Sequence, residues 1–210
     1  GASVTIPFKE EAARVAGAGE GTVRNTLLFG GDDSVSAANT DRDALLGAIP
    51  EAPDGAAALV LGAGGMARAA VEALVERGFS VDVAARTAAR AAALASEYGA
   101  RVVSNPAGSG LPYGVVVNAT PLGLDASDPL PCDGSLLAPG VLAVDAPYLP
   151  GGTPFAREAL RRGARLVDGF SLLLSQAAGQ SALFTGRPAG AAALAARLPA
   201  RIQALFEVSR

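Results

Sequence analysis

Ala57-Ala58-Leu59-Val60-Leu61-Gly62-Ala63-Gly64-Gly65-Met66-Ala67 is the stretch on which the fold turns. Ala57–Leu61 is a short apolar run suited to a strand buried on both faces. The glycine loop follows, and Met66–Arg77 reads as a helix ended by Gly78. Between a strand and a helix the glycines have distinct jobs. Gly62 permits the tight turn, and Gly64 lets the backbone approach a pyrophosphate. Ala67, at the third fingerprint position, lets the helix pack closely on the sheet. The exposed N–H groups and the helix dipole then hold phosphates. Alone the motif is weak; inside a strand–helix–strand unit it points to a nucleotide site, and the competing reading is a structural Gly-rich turn in an Ala-rich chain.

Outward from the loop, the same alternation continues. Phe79–Ala85 is the next expected strand and Ala88–Tyr98 the next helix, ended by Gly99. Further strands are expected at Arg101–Val103, Gly114–Asn118, Val141–Asp145 and Arg165–Val167. Thr153 is an N-cap with Pro154 at the first position of a helix to Arg162. Strands alternating with helices predict an α/β, Rossmann-like, doubly wound parallel sheet. Beyond Gly169 the chain reads as helical, over Leu172–Phe184 and Ala191–Val208, with Ala189–Ala196 as alanine-rich filler. Upstream, the β-branched run Val4-Thr5-Ile6 reads as a strand halted by Pro7, and Lys9–Ala16 is a short helix. Arg24–Phe29 and Ser34–Ala38 form a hairpin around Gly30-Gly31-Asp32-Asp33. A helix follows Asn39-Thr40-Asp41 with Leu45, Leu46 and Ile49 on one face, and Pro50–Gly55 is a linker.

Rare residues exclude whole chemistries. The 210 residues include no His, no Trp and a single Cys, Cys132. Of seventeen cationic side chains one is lysine, Lys9, and the rest are Arg. A Ser-His-Asp or Cys-His nucleophile is impossible without His. A Cys/His zinc site cannot be assembled, and no metal is expected. A P-loop needs Lys after Gly, whereas Lys9 follows Phe8. One Cys forms no internal disulfide, which fits a cytoplasmic protein. The net charge is −3, with 18% charged residues and no basic block, which argues against disorder, nucleic acid and anionic membrane. No stretch reads as a transmembrane span or signal peptide.

The end of the second strand speaks to cofactor choice. An NAD site usually has Asp or Glu there, bonding the ribose hydroxyls. Here the sequence is Ala84-Ala85-Arg86-Thr87. Arg86, planar and always charged, suits the 2′-phosphate of NADP; the competing reading is a solvated charge at a helix start. Asp82 is the competing acid, but it lies two residues too early and is expected to face solvent or a neighbouring loop. Hydride transfer also needs an acid–base partner for the hydroxyl. His is absent, and the Tyr-x-x-x-Lys pair of short-chain dehydrogenases is absent too, because Thr5 stands four residues before Lys9. That leaves Lys9, although a lone lysine is more often a surface charge. Asn25-Thr26 and Asn39-Thr40-Asp41 suit a polyhydroxylated substrate; turns and caps use these residues equally well.

Taken together, these segments resemble the shikimate dehydrogenase family. Val4-Thr5-Ile6-Pro7-Phe8-Lys9 looks like its catalytic-lysine segment, and Gly21-Thr22-Val23-Arg24-Asn25-Thr26 is similar to its Gly-Ala-Val-Asn-Thr signature. Asn39-Thr40-Asp41 matches its Asn-Thr-Asp, Gly62–Ala67 its NADP loop, and Ala85-Arg86-Thr87 its Asn-Arg-Thr. Asn118-Ala119-Thr120-Pro121-Leu122-Gly123 matches nearly letter for letter. Asp145-Ala146-Pro147-Tyr148-Leu149-Pro150 with Thr153-Pro154, Ser175-Gln176-Ala177-Ala178 and Phe184-Thr185-Gly186 complete the series.

The resemblance implies NADPH-dependent reduction of 3-dehydroshikimate to shikimate in aromatic amino-acid biosynthesis. Lys9 and Asp41 would form the catalytic pair. Thr5, Asn25, Asp41, Tyr148 and Gln176 would contact substrate. The Gly62–Ala67 loop, Arg86, Thr87, Asn118, Ala119, Thr120 and Gly169 would contact NADP. Residues 1–43 would be part of a smaller α/β substrate domain, 44–172 the NADP-binding domain, and 173–210 helices returning to the substrate domain. The partner is then a small molecule, shikimate or 3-dehydroshikimate, and the protein a monomer or homodimer. The family's first elements, with a Ser-x-Ser-Pro segment whose serines bind the substrate carboxylate, have no counterpart here, so the substrate sheet is expected to be short of strands. Arg24 replaces Ala or Val, and Arg42 replaces the Gly after Asp41, where it either favours an anionic substrate or faces water. A quinate/shikimate dehydrogenase variant and a non-catalytic NADP-binding module are the alternatives.

Overall fold

The computed structural model describes residues 1–5, 7–19, 22–188 and 190–206. Two sheets organise them. The smaller is antiparallel, in the order β1 (Ala2–Ser3), β2 (Thr26–Phe29), β3 (Val35–Ala38). The expected hairpin is β2–β3, with Phe29 opposite Val35. The strand expected at Val4-Thr5-Ile6 is a correction. The paired residues are Ala2 and Ser3, and one further bond runs from the Val4 N–H to the Asn25 carbonyl at 2.8 Å. At Thr5 the chain already turns, its carbonyl accepting from the Phe8 N–H, because Pro7 offers no N–H to a ladder. Ile6 lies outside the described residues. Two helices flank this sheet in sequence, α1 (Lys9–Val15) and α2 (Thr40–Ala48).

The larger sheet is parallel throughout, in the order β6 (Arg101–Val102), β5 (Ser80–Ala84), β4 (Ala57–Leu61), β7 (Tyr113–Asn118), β8 (Leu142–Asp145), β9 (Arg165–Val167). Every residue of β4 is buried, as its unbroken apolar run requires. Alternate residues serve opposite faces. Ala58 and Val60 join a core with α3 (Gly65–Glu76), α4 (Ala88–Tyr98) and Leu45 and Ile49 of the α2 region. Leu59 and Leu61 join another with Phe155 and Ala159 of α5 (Pro154–Arg161). Strand order reverses between β4 and β7, and in such sheets the crevice beyond the carboxyl ends at that point receives the ligand.

Helix α6 (Gly169–Thr185), capped by Asp168, packs along α2 and reaches back to the small sheet. Gly179 allows the close approach: a Cβ there would lie 3.3 Å from Thr40 Cγ2. The single helix expected over Ala191–Val208 is corrected to α7 (Ala191–Ala195) and α8 (Ala200–Leu205). Pro199 separates them by removing a donor and holding Leu198 away from helical geometry. Val208 and Ala189 lie outside the described residues. Among the described residues no helix is long and apolar enough to cross a membrane.

Candidate active site

The glycine loop sits at the switch point. Gly62 adopts φ +114°, and a Cβ there would lie 2.8 Å from the Ala119 carbonyl oxygen. The loop therefore runs directly against the Ala119-Thr120 backbone at the end of β7. Around Gly64, which precedes α3, the space for a side chain is empty, whereas Ala67 is fully buried against the sheet. Ala63 and Met66 pack on the same core. Helix α3 begins without a side-chain cap and without an acidic residue in its first turn. Its leading N–H groups are thus left for an anion.

The start of α1 and the segment before β2 approach this loop. A Cβ on Gly65 would meet Val23 Cγ1 at 3.7 Å and Lys9 Cδ at 3.8 Å. Lys9, the first residue of α1, donates from Nζ to Asp41 Oδ2 at 2.5 Å. Both side chains are largely buried, 16% and 11% exposed. Asp41 stands in the first turn of α2, where the helix dipole favours a carboxylate.

Beside the pair lies a polar network. Asn25 accepts at Oδ1 from the Thr40 N–H at 2.9 Å and donates from Nδ2 to Thr40 Oγ1 at 2.9 Å and Gln176 Oε1 at 3.3 Å. Gln176 also accepts from the Thr40 hydroxyl. Asn39 caps α2, accepting from the Arg42 N–H, and its Nδ2 is buried without a hydrogen-bond partner among the described residues. Gln180 escaped the sequence reading. It donates to the Asn25 carbonyl at 3.1 Å and Thr26 Oγ1 at 3.0 Å and accepts from Ser3, tying β1, β2 and α6 together. Its spacing of four from Gln176 puts both on one helix face, and that was the available signal. Thr5 is exposed at the turn before Lys9. Arg42 is drawn into ion pairs rather than left to water. It is held by Glu72, Glu76 and Asp43, two of them on α3, so it fastens α2 to the large sheet's first helix.

The ends of β7 and β8 carry a second, buried network. Asn118 donates to Asp145 Oδ1 at 2.8 Å and the Leu122 carbonyl at 3.0 Å and accepts from the Thr120 N–H and hydroxyl. Its side chain shapes the loop, and the backbone at Ala119 and Thr120 meets Gly62. Asp145 also accepts from the Thr153 hydroxyl, whose oxygen caps α5 by accepting from the Ala156 N–H. Burial pushes the Asp145 carboxyl up to about 7, against the downward pull of the bonds from Thr153 and Asn118.

A raised folded-state value means that the protonated acid is the form favoured by folding. Its stabilising contribution is complete below the ordinary value of 3.8 and is lost as pH rises through about 7. Asp145→Asn keeps the acceptor for Asn118 and removes the titration. Urea unfolding across this window is expected to show wild-type stability falling relative to the variant by about 1.4 kcal/mol per pH unit at most. Parallel curves would contradict the assignment.

Tyr148 follows this network and is half-exposed, with Gly169 close behind. A Cβ on Gly169 would overlap the Pro147 carbonyl oxygen and lie 2.6 Å from that of Ala146. The start of α6 therefore lies directly under the Tyr148 loop.

At the end of β5, Arg86 and Thr87 are exposed, and Thr87 precedes α4 without capping it through its side chain. Arg86 has no carboxylate within ion-pair distance among the described residues. Asp82 corrects the sequence expectation. It is 4% exposed and takes a bidentate pair from Arg101 at 2.9 and 2.7 Å and the Tyr113 hydroxyl at 2.6 Å. Burial alone would raise its carboxyl, but these partners hold it below the usual range. Fully engaged inside the sheet, it is not available to a ribose. Burial pushes the Cys132 thiol up to about 12.

Three comparisons accord with this arrangement. The family described as Shikimate / quinate 5-dehydrogenase matches residues 48–107. A shikimate dehydrogenase (NADP(+)) of Paracoccus denitrificans is 40% identical over 193 residues, spanning 85% of this chain and 68% of the relative. Among solved structures, shikimate 5-dehydrogenase of Thermus thermophilus in complex with NADP(H) and shikimate superposes with a TM-score of 0.77 at 35% identity, covering 91% of this chain and 75% of the other. A quinate dehydrogenase from Corynebacterium glutamicum in complex with NAD reaches a TM-score of 0.75 at 26% identity, covering 90% and 74%. A glycine loop at the switch point, with a lysine–aspartate pair from α1 and α2 beside it, thus stands in a chain that belongs to the shikimate / quinate 5-dehydrogenase family of oxidoreductases.

Proposed function

We propose that this chain is an NADP-dependent shikimate dehydrogenase, reducing 3-dehydroshikimate reversibly to shikimate for aromatic amino-acid synthesis in the cytoplasm. The observation that carries the reading is the Lys9–Asp41 pair placed against Gly65 of the glycine loop. The residues fit a dinucleotide: Gly62 has room only for hydrogen, Gly64 opens onto space, and α3 begins with unclaimed N–H groups. The nicotinamide cofactor, when bound, supplies or takes up the hydride. Lys9 as an ammonium donates its proton to the carbonyl oxygen that becomes a hydroxyl, and in the reverse direction takes it back. Asp41 orients that ammonium and accepts from a substrate hydroxyl. Asn25 and Gln176, bonded to each other beside the pair, bind the remaining hydroxyls. Residues 1–43 and 173–210 form the substrate side and 44–172 the cofactor side, with α2 spanning the two.

Rates with shikimate and quinate, each with NADP and NAD, test the reading. Shikimate with NADP is expected to be the best pair; preference for quinate with NAD would overturn substrate and cofactor together. Arg86 binds the 2′-phosphate, because no acid competes at the end of β5 and Asp82 is engaged elsewhere. A bond to a charged group of about 1.5–3 kcal/mol corresponds to about ten- to hundredfold in affinity. Arg86→Ala is expected to raise the KM for NADP by that factor and to leave the KM for NAD nearly unchanged.

A further inference from the structure

The geometry points to Phe206 as the residue that positions Tyr148 beyond the carboxyl end of β8, an inference that rests on the function proposed above with Tyr148 as a substrate contact. Phe206 follows α8, the last described helix. Its ring stacks on Phe170 with centroids 4.2 Å apart and planes 10° apart. It meets Tyr148 edge-on, with centroids 6.1 Å apart and planes at 64°. The neighbouring Leu205 carbonyl accepts from the Gly151 N–H at 2.7 Å. These contacts gather three separate pieces of chain: the loop between β8 and α5, the first turn of α6, and the C-terminal helix. Together with Asp145, Asp168 and Gly169 they line one small cleft.

Tyr148 needs such a support. It is 46% exposed, and its hydroxyl has no hydrogen bond among the described residues. Its loop continues through Gly151 and Gly152, both at positive φ, a backbone that adopts many conformations when nothing holds it. An edge-to-face contact leaves the hydroxyl free while fixing the ring, which is the arrangement a substrate-binding phenol requires. Phe206 is anchored by its stack on Phe170 and meets the Tyr148 ring, so its effect on substrate passes through Tyr148.

The test is a double-mutant cycle in the full chain. Phe206→Ala is expected to raise the KM for shikimate about three- to tenfold, the worth of one aromatic pair, with kcat and NADPH affinity within about twofold. Phe206→Tyr, which keeps the ring, restores the KM. Tyr148→Phe raises the KM by itself, and adding Phe206→Ala to it changes nothing further. The chain has no Trp, so near-ultraviolet circular dichroism reads its tyrosines, and Phe206→Ala should weaken that signal. A KM that does not move, a fall in melting temperature with KM intact, or KM increases that multiply would each overturn the proposal and leave Phe206 a helix anchor. A wild-type chain that binds NADPH but does not oxidise shikimate would instead defeat the proposed function, and this inference with it.

Discussion

Lys9→Ala is expected to lower kcat by about a thousandfold, within the range that a positioned proton donor contributes, while NADPH binding is retained. The expectation follows from scarcity as much as from geometry. There is one lysine and no histidine, so no second basic side chain with a titratable nitrogen can take over the proton. Among the described residues Lys9 is also the only partner within ion-pair distance of the largely buried Asp41. Its removal leaves that carboxylate uncompensated, and some loss of stability accompanies the loss of rate. The two effects separate cleanly. Stability is read by urea unfolding, cofactor affinity by NADPH fluorescence, and chemistry by kcat. Lys9→Arg keeps the charge but not the proton donor, and it should recover stability without recovering rate. Substantial turnover in Lys9→Ala would remove the lysine from the mechanism.

Gly169→Ala is expected to be the most damaging small substitution in the fold. Two backbone carbonyls, those of Pro147 and Ala146, occupy the place of the new methyl group. Neither belongs to a flexible side chain that swings away. Either the start of α6 or the Tyr148 loop must move. Overpacking of this kind costs about 3 kcal/mol, which outweighs the gain of about 1 kcal/mol from replacing glycine in a helix. For a chain of this length each kcal/mol corresponds to about 2–4 °C in melting temperature, so a net drop of about 4–8 °C is predicted by calorimetry. Because Asp168 caps α6 through the Ser171 N–H, the displacement would also disturb the cap. An unchanged melting temperature would mean that this close approach does not exist in solution.

Much of the large sheet is legible in the linear sequence, for a physical reason. A parallel strand buried on both faces must be a short unbroken apolar run, and its helix must end where the chain reverses. Ala57–Leu61, Ala88–Tyr98 with Gly99 at φ +66°, and Arg165–Val167 fall where the pattern puts them. The Lys9, Asn25 and Asp41 grouping was legible only through resemblance, since spacing alone left turn and cap roles open. What escaped was decided by partners remote in sequence. Asp82 looked solvent-facing because nothing local shows that β6 brings Arg101 opposite it and β7 starts with Tyr113. Arg42 was open to either an anionic substrate or water because its carboxylates on α3 lie far along the chain, at Glu72 and Glu76. The first strand was misplaced because β-branched character marked Val4-Thr5, while the ladder is set by what β2 offers to pair with.

On the proposed reading, one crevice between Lys9 and the glycine loop holds both ligands. A crystal structure with NADP and shikimate tests it most directly. Lys9 Nζ is expected at about 2.6–3.2 Å from the hydroxyl that is oxidised, Asp41 on a substrate hydroxyl, and the pyrophosphate over Gly64. Shikimate bound away from Lys9, or phosphates elsewhere than the start of α3, would contradict it.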